Sequence, residues 1–160
     1  MASNAITVVR QKLVQASWEE CWRSLTTPEV VSEWFAQTSS IAEQLPVVFD
    51  FGDGDFFAGT IDSVEAPANL RLRWRFWNVG PEYSIWFALS PAGSQIELSV
   101  IDCGSESVAE AESLREGWDD FLMRFEKRVT SGEPCRYRWT ESIGATCYAP
   151  DSDALWTGLH

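Results

Sequence analysis

The sequence has no internal histidine, which excludes several kinds of nucleophilic and acid–base active site. The one histidine, His160, is the last of the 160 residues, where chain ends are rarely ordered. Without an internal histidine, the chain offers no Ser-His-Asp or Cys-His nucleophile system and no histidine-based zinc site. The four cysteines lack CxxC spacing, and we interpret them as small core or surface residues: Cys21, Cys103, Cys135 and Cys147. We therefore predict no metal and no cofactor.

One carboxylate is placed where it could take part in catalysis. Asp102 is in phase with Leu98 and Val100 at period two, which predicts that it points inward at the end of a strand. A carboxylate against an apolar wall favours its protonated form and can serve as a general acid or base. The alternative is that Asp102, which precedes Cys103 and Gly104, caps a turn. Asp102 is therefore the candidate catalytic residue, and both interpretations stay open.

Two further polar side chains are in phase with apolar neighbours. Tyr83 shares its phase with Ile85 and Phe87, and Arg10 shares its phase with Val8. We expect Tyr83 to face the interior, and Arg10 to reach the interior or its rim.

These side chains must be positioned by a run of strands and a long helix. Period-two alternation and turn residues predict six strands, over residues 6–14, 46–51, 56–64, 70–77, 83–89 and 95–102. Ser17 and Glu20 have capping-box spacing, and Thr27 before Pro28 is a second helix start, so two short helices follow the first strand. An apolar stripe predicts a long helix over 107–129.

The order of these elements predicts an α+β fold. Hairpin-length links make the last five strands antiparallel neighbours. Together with the first strand they form a curved antiparallel six-stranded sheet wrapped around the long C-terminal helix.

The inward positions of this arrangement are rich in aromatic residues. They are Trp34, Phe49, Phe51, Phe57, Leu72, Trp74, Phe76, Ile85, Phe87, Leu98, Trp118, Phe121, Leu122 and Phe125. One interpretation is a packed core, which such stripes usually form. The other is that sheet and helix leave an apolar cavity, which would bind a hydrophobic or aromatic small molecule by burying its surface. On the opposite face, Arg71, Arg73 and Arg75 are predicted to meet solvent and to pair with cross-strand acids such as Glu97.

The charge and hydropathy of the chain exclude other classes of function. It carries 24 acidic and 12 basic residues, a net charge of −12, whereas a nucleic-acid binder needs a basic face. The same acidity argues against binding to anionic lipid, and no stretch approaches the roughly 20 apolar residues of a membrane span. Residues 1–7 do not have the pattern of a signal peptide. We expect a cytoplasmic protein with no nucleic-acid partner and no membrane partner.

Several segments of the sequence resemble a known family. They are the Thr-Pro-Glu and Ser-Glu-Trp-Phe of residues 27–35, the Phe-Ala-Gly-Thr-Ile of 57–61, the Pro-Ala-Asn-Leu-Arg-Leu-Arg-Trp of 67–74, and the Glu-Gly-Trp and Phe-Leu of 116–122. Together they resemble the START-like (SRPBCC) helix-grip superfamily, which includes birch-pollen-type allergens and polyketide cyclases. Within it, residues 6–130 are similar to the C-terminal domain of the activator of the 90-kDa heat-shock-protein ATPase. The resemblance implies a helix-grip fold with an internal apolar cavity, without a fixed activity or shared catalytic residues.

We divide the chain into a helix-grip domain over residues 1–131 and a C-terminal extension over 132–160. Part of the extension matches the start of the domain at an offset of 134 positions, where Asp151, Trp156 and Leu159 fall on Ser17, Trp22 and Leu25. It is either a truncated strand–helix repeat or an ordinary extension.

Three functions stay open at this point. The leading hypothesis is a carrier or sensor that binds a hydrophobic or aromatic small molecule, which is a binding protein rather than an enzyme. The second is an enzyme similar to polyketide cyclases or aromatases, for which a cavity and one acid or base suffice. The third is an interaction protein similar to regulators of a chaperone ATPase. A homodimer is also open.

Overall fold

Three helices and seven strands follow one another in the part of the chain that the structure describes. The structure is a computed structural model, and it describes residues 5–52 and 54–136. The elements are β1 (Ile6–Val14), α1 (Trp18–Thr26), α2 (Pro28–Trp34), β2 (Gln37–Thr38), β3 (Pro46–Gly52), β4 (Asp55–Glu65), β5 (Asn69–Phe76), β6 (Tyr83–Ala92), β7 (Gln95–Ser105) and α3 (Val108–Ser131).

The strands form one antiparallel sheet with the order β1-β7-β6-β5-β4-β3-β2. This confirms the predicted α+β fold, with two short helices after the first strand and a long helix after the last. Within the described ranges the sheet has a seventh strand besides the six predicted. The additional strand, β2, has two residues, which pair with Asp50 and Phe49 of β3. Two residues show no period, so the sequence pattern did not indicate this strand.

The sheet turns its apolar side towards α3 and its arginines towards solvent. On β5 the residues alternate strictly between buried apolar and exposed arginine positions, as predicted. The guanidinium of Arg71 lies over the ring of Trp86, 3.9 Å from its centroid. Arg73 forms an ion pair of 3.0 Å with Asp62 of β4. The predicted cross-strand pairing with Glu97 is wrong, because Glu97 lies on β7 and β6 separates that strand from β5.

The backbones of the paired strands β4 and β5 approach each other closely at Gly59. Gly59 of β4 pairs with Trp74 of β5. A Cβ atom on Gly59 would lie 1.7 Å from the carbonyl oxygen of Arg73, which is far inside van der Waals contact. The backbones can therefore come this close only with glycine at position 59.

Side-chain caps are found at the starts of α1 and α3, whereas α2 starts at Pro28 after Thr27, whose side chain makes no capping hydrogen bond. The Oγ of Ser17 accepts a hydrogen bond of 3.1 Å from the backbone N–H of Glu20 at the start of α1. The Oγ of Ser107 makes the same kind of contact at the start of α3. This helix ends at Ser131 and is capped by Gly132, whose φ of 76° lies in the left-handed region that favours glycine. All three predicted helices are confirmed.

The long helix α3 packs more closely on β1 than on any other strand. Two exposed ion pairs reinforce this side. Arg10 contacts Asp119 at 2.7 Å, and the Nζ of Lys12 lies 3.4 Å from a carboxylate oxygen of Glu126. The edge strand β1 is thereby fastened to the helix.

On its other side, α3 is joined to both short helices by one arginine. Arg128 is 8% exposed. Its Nη1 lies 3.2 Å from a carboxylate oxygen of Glu20 on α1, and its Nε donates to the carboxylate of Glu33 on α2. One guanidinium therefore connects three helices.

Some predictions concern residues that the structure does not describe. The proposed strand–helix repeat falls on residues 137–160, which lie outside the described residues, as do Cys147 and His160. In the described ranges, none of the helices combines the length and the apolar character that crossing a membrane requires.

Candidate functional site

The predicted lining residues come together in one interior between the sheet and α3. Thirteen of the fourteen are at most 5% exposed, and only Phe51 among them is half-buried. The prediction that these side chains share one interior is therefore confirmed, whereas their role in binding a ligand stays a prediction.

Aromatic rings occupy the centre of this interior. The rings of Phe57 and Trp74 are stacked, with centroids 4.4 Å apart and planes within 18° of each other. Trp74 and Trp118 are parallel to within 1°, with centroids 6.1 Å apart, and Phe87 meets Trp118 edge-on at 5.7 Å. These are distances of direct ring contact. The residues that were expected to line a cavity contact one another, so the cavity itself stays a prediction.

One central aromatic residue was not among the predicted lining residues. Phe35, directly after α2, is 2% exposed. Its ring lies 5.5 Å from that of Phe49, 5.2 Å from that of Phe51 and 4.6 Å from that of Phe121. The signal that could have found it is its position next to Trp34, at the end of an apolar helix stripe.

A carboxylate lies among these rings. Asp102 of β7 is 0% exposed and is paired with Val8 of β1 and Ile85 of β6, so it occupies the inner face of the sheet between two neighbouring strands. Its Oδ2 accepts a hydrogen bond of 2.7 Å from the indole Nε1 of Trp118 on α3. The predicted inward direction of Asp102 is thus observed. Its catalytic role stays a prediction.

A second polar contact lies at the same end of the interior. Tyr83 of β6 is 1% exposed, and its hydroxyl donates a hydrogen bond to the carboxylate of Glu110 in the first turn of α3. Burial raises the pKa of the Tyr83 phenol far above its ordinary value, and the hydrogen bond to Glu110 and the charges of Glu110, Asp102 and Glu106 raise this pKa further. The phenol is therefore neutral and acts as a donor. Glu110 is a partner that the sequence pattern did not indicate.

The other polar side chain that was expected near the interior lies at the rim. The Nε and Nη2 of Arg10 donate hydrogen bonds of 2.8 Å and 2.7 Å to the two carboxylate oxygens of Asp119. This bidentate contact raises the pKa of the Arg10 guanidinium, although partial burial acts in the opposite direction. Arg10 therefore joins β1 to α3 at the rim and does not enter the interior.

The described residues offer neither a metal centre nor an activated thiol at Cys21. No three or more His, Cys, Asp and Glu side chains among them are grouped so that they could hold a metal ion. Cys21 of α1 is buried, and burial, together with the charge of Glu20, raises the pKa of its thiol to about 11. Cys21 is therefore protonated at neutral pH and is a poor nucleophile. The chemistry that this interior can perform rests on Asp102, Tyr83 and the aromatic rings.

Comparison with models of protein families shows which family the chain belongs to. Residues 15–130 match the family "Activator of Hsp90 ATPase homolog 1-like protein" (AHSA1). The chain belongs to the AHSA1 family. This confirms the resemblance to the branch of the helix-grip superfamily that the sequence motifs indicated. A search among curated proteins finds no match.

Solved structures of similar proteins have the same fold as this AHSA1 protein. DynU16, a protein of the dynemicin biosynthetic locus, is 34% identical, with a TM-score of 0.79 over 82% of this chain and 50% of that chain. This chain thus spans about half the length of DynU16. CalU16 from Micromonospora echinospora is 17% identical, with a TM-score of 0.65 over 96% of this chain and 98% of that chain. The Aha1 dimer from Colwellia psychrerythraea is 18% identical, with a TM-score of 0.59 over 79% of this chain and 98% of that chain.

Proposed function

We propose that this protein binds a hydrophobic aromatic small molecule between the sheet and α3, with Asp102 as a polar anchor. The observation that carries this proposal is a fully buried carboxylate, hydrogen-bonded to Trp118, among aromatic rings. Removing a carboxylate from water costs several kcal/mol unless its partners offset the loss, and a well-packed apolar side chain would avoid that cost. Besides its contact with Trp118, a carboxylate in this position can accept a hydrogen bond from a ligand in the interior.

The ring contacts favour an aromatic guest over an aliphatic one. Each aromatic pair contributes about 0.5–1.5 kcal/mol beyond the area that it buries. A guest that enters this interior must separate rings such as those of Trp74 and Trp118, which are parallel to within 1°. A planar aromatic guest replaces each lost ring contact by a similar one, whereas an aliphatic guest does not. The state that accepts the guest is then a minor conformation that the ligand populates.

The carboxylate narrows the ligand class further. The carboxylate of Asp102 has oxygens that accept hydrogen bonds, so a ligand that presents a hydrogen-bond donor fits this position. An aromatic compound with a hydroxyl or N–H group meets both requirements. DynU16, 34% identical over most of this chain, is a protein of a biosynthetic locus. That relationship supports a ligand from the biosynthesis of a natural product.

Equilibrium dialysis with two simple aromatic probes tests the proposal. We expect the wild type to bind 2-naphthol up to about tenfold more tightly than naphthalene, because one hydrogen bond contributes about 0.5–1.5 kcal/mol. Asp102→Leu is expected to remove this preference and to retain binding of naphthalene. Asp62→Leu, which removes a carboxylate on the outer face of the sheet, is the matched control. Absence of binding by the wild type, or an unchanged preference in Asp102→Leu, contradicts the proposal.

The same carboxylate favours a second function, an enzyme of the polyketide-cyclase or aromatase type. Asp102 lies in an apolar interior, where a carboxylate can act as a general base while the rings hold a substrate in a reactive shape. Asp102→Asn keeps an oxygen that can accept from Trp118 but cannot take a proton. For a poly-β-ketone substrate we expect this variant to bind normally and to lose turnover. Unchanged turnover would exclude this assignment.

Three further hypotheses concern the partners and the location of the protein, and only the chaperone partner follows from the family. We keep a cytoplasmic location, a homodimer and a chaperone partner as hypotheses. Light scattering of the purified protein tests the dimer, and co-purification with a chaperone ATPase tests the third function.

A further inference from the structure

The two long sides of α3 are closed in different ways. On the side of β1, strand and helix pack closely and are joined by Arg10–Asp119 and Lys12–Glu126. On the side of β3, aromatic side chains extend from the helix region to the strand. Phe121 of α3, Phe35 after α2 and Phe51 of β3 meet there, with centroid distances of 4.6 Å, 5.2 Å and 6.4 Å. On the β3 side, the interior is therefore closed by aromatic side chains, which can rotate.

Phe51 lies at the outer boundary of this aromatic closure. It is half-buried, whereas Phe35 and Phe121 are at most 2% exposed. Besides these two rings it contacts the ring of Phe57 at 5.9 Å. Rotation of the Phe51 side chain would expose the rings behind it to solvent without breaking a strand pairing.

A short segment crosses the same boundary on the outside. Residues 132–136, which we call the C-terminal strap, turn back from the end of α3. The backbone N–H of Cys135 donates a hydrogen bond of 2.7 Å to the carbonyl oxygen of Glu33 on α2. The Nη1 of Arg124 on α3 donates one of 2.6 Å to the carbonyl oxygen of Arg136. The Nη2 of Arg136 lies 3.5 Å from the carbonyl oxygen of Asp50, which precedes Phe51.

We propose that the boundary between α3 and β3 is the entrance to the aromatic interior, and that Phe51 and the C-terminal strap control passage through it. This inference rests on the proposed binding function and adds the route of the ligand. Entry on the β1 side would require two ion pairs and a strand–helix contact to break. Entry on the β3 side requires one half-buried ring to rotate and the strap to release its hydrogen bonds. Arg124 holds the strap and is a positioning residue.

Binding kinetics of matched variants test the entrance. Arg124→Met removes the hydrogen bond to the strap together with an ion pair to Asp120 four residues earlier. Arg115→Met on the same helix also removes an ion pair within the helix, to Glu112, but makes no contact with the strap. In stopped-flow measurements with 2-naphthol, we expect Arg124→Met to raise the association and dissociation rates about tenfold each, which corresponds to one lost hydrogen bond in the closed state. The dissociation constant should stay within about twofold, because the entrance acts on passage and not on the bound state.

A second pair of variants tests the ring. Phe51→Ala should accelerate both rates, whereas Phe56→Ala, on the opposite face of the same hairpin, should not. If both test variants have the rates of their controls while the wild type binds 2-naphthol, the entrance is wrong and the binding function stands. If the wild type does not bind 2-naphthol, the binding function fails and the entrance fails with it.

Discussion

The indole Nε1 of Trp118 donates a hydrogen bond of 2.7 Å to the Oδ2 of Asp102, which joins the long helix to β7 inside an apolar interior. Apolar contacts have no preferred direction, so a stripe of leucine and phenylalanine allows a helix to rotate or slide by small amounts. A buried hydrogen bond does not allow this. The contact between Asp102 and Trp118 therefore defines how α3 lies on the sheet.

We predict that Asp102→Ala destabilises the protein more than Asp102→Asn. The alanine variant leaves the buried indole N–H of Trp118 without its acceptor, which costs about 1–3 kcal/mol. The asparagine variant keeps an acceptor oxygen at the same place. Urea unfolding measures the free energies of both variants. Equal stabilities would show that the hydrogen bond does not contribute to the fold.

The stability of the protein should fall at alkaline pH because of Tyr83. Its phenol has a pKa above the value of about 10 for an unfolded chain, so the folded state holds this proton to higher pH. The resulting stability is fully present below about pH 10 and is lost as the pH rises above that value. Tyr83→Phe lacks this titration. We expect the stability difference between wild type and variant to shrink above pH 10 by up to about 1.4 kcal/mol per pH unit. Parallel curves in urea unfolding would contradict the assignment.

Sequence patterns predicted the direction of individual side chains well. Period two placed Asp102 and Trp74 inside and the arginines of β5 outside, because strand geometry alone decides which face a residue occupies. Capping residues predicted the helix starts for the same local reason. The face that a strand residue occupies and the residue at which a helix starts could therefore be predicted, because both depend on local geometry.

Contacts between distant elements could not be predicted in this way. The pairing of Asp102 with Trp118 depends on the rotation of α3 about its axis, and the contact of Tyr83 with Glu110 depends on where that helix starts above β6. The width of the interior depends on how rings from four elements interlock. No period in the sequence reports that distance, so the aromatic residues left both interpretations open, a packed core and a cavity.

We predict that Gly59→Ala strongly destabilises the protein, because β4 and β5 approach each other closely at this residue. Gly59→Ala places a methyl group 1.7 Å from the backbone oxygen of Arg73, so β4 and β5 must separate. We expect a loss of about 4 kcal/mol or more, or a failure to fold. Gly93→Ala is the control, because its added methyl group meets nothing within 4 Å and its φ of +64° costs only about 1–2 kcal/mol. Similar urea midpoints for the two variants would refute this account of the strand pair.

The ion pairs of α3 should differ in how much they contribute to the free energy of unfolding, because they are buried to different extents. Arg10 and Asp119 have side chains that are 38% and 50% exposed, so Arg10→Met should cost about 0.2–1 kcal/mol of stability, and this loss should disappear in about 1 M salt.

The Arg128 side chain is 9% exposed and contacts both Glu20 and Glu33. Removing one partner of a fully buried pair costs about 3–5 kcal/mol. Glu20 and Glu33 are 27% and 38% exposed and regain water, so we expect Arg128→Met to cost less, about 1–3 kcal/mol. This loss should depend less on salt than that of Arg10→Met, because the Arg128 guanidinium is more buried than that of Arg10. Urea unfolding at low and high salt distinguishes the two cases, and equal salt dependence of the two variants would mean that Arg128 acts as a surface charge.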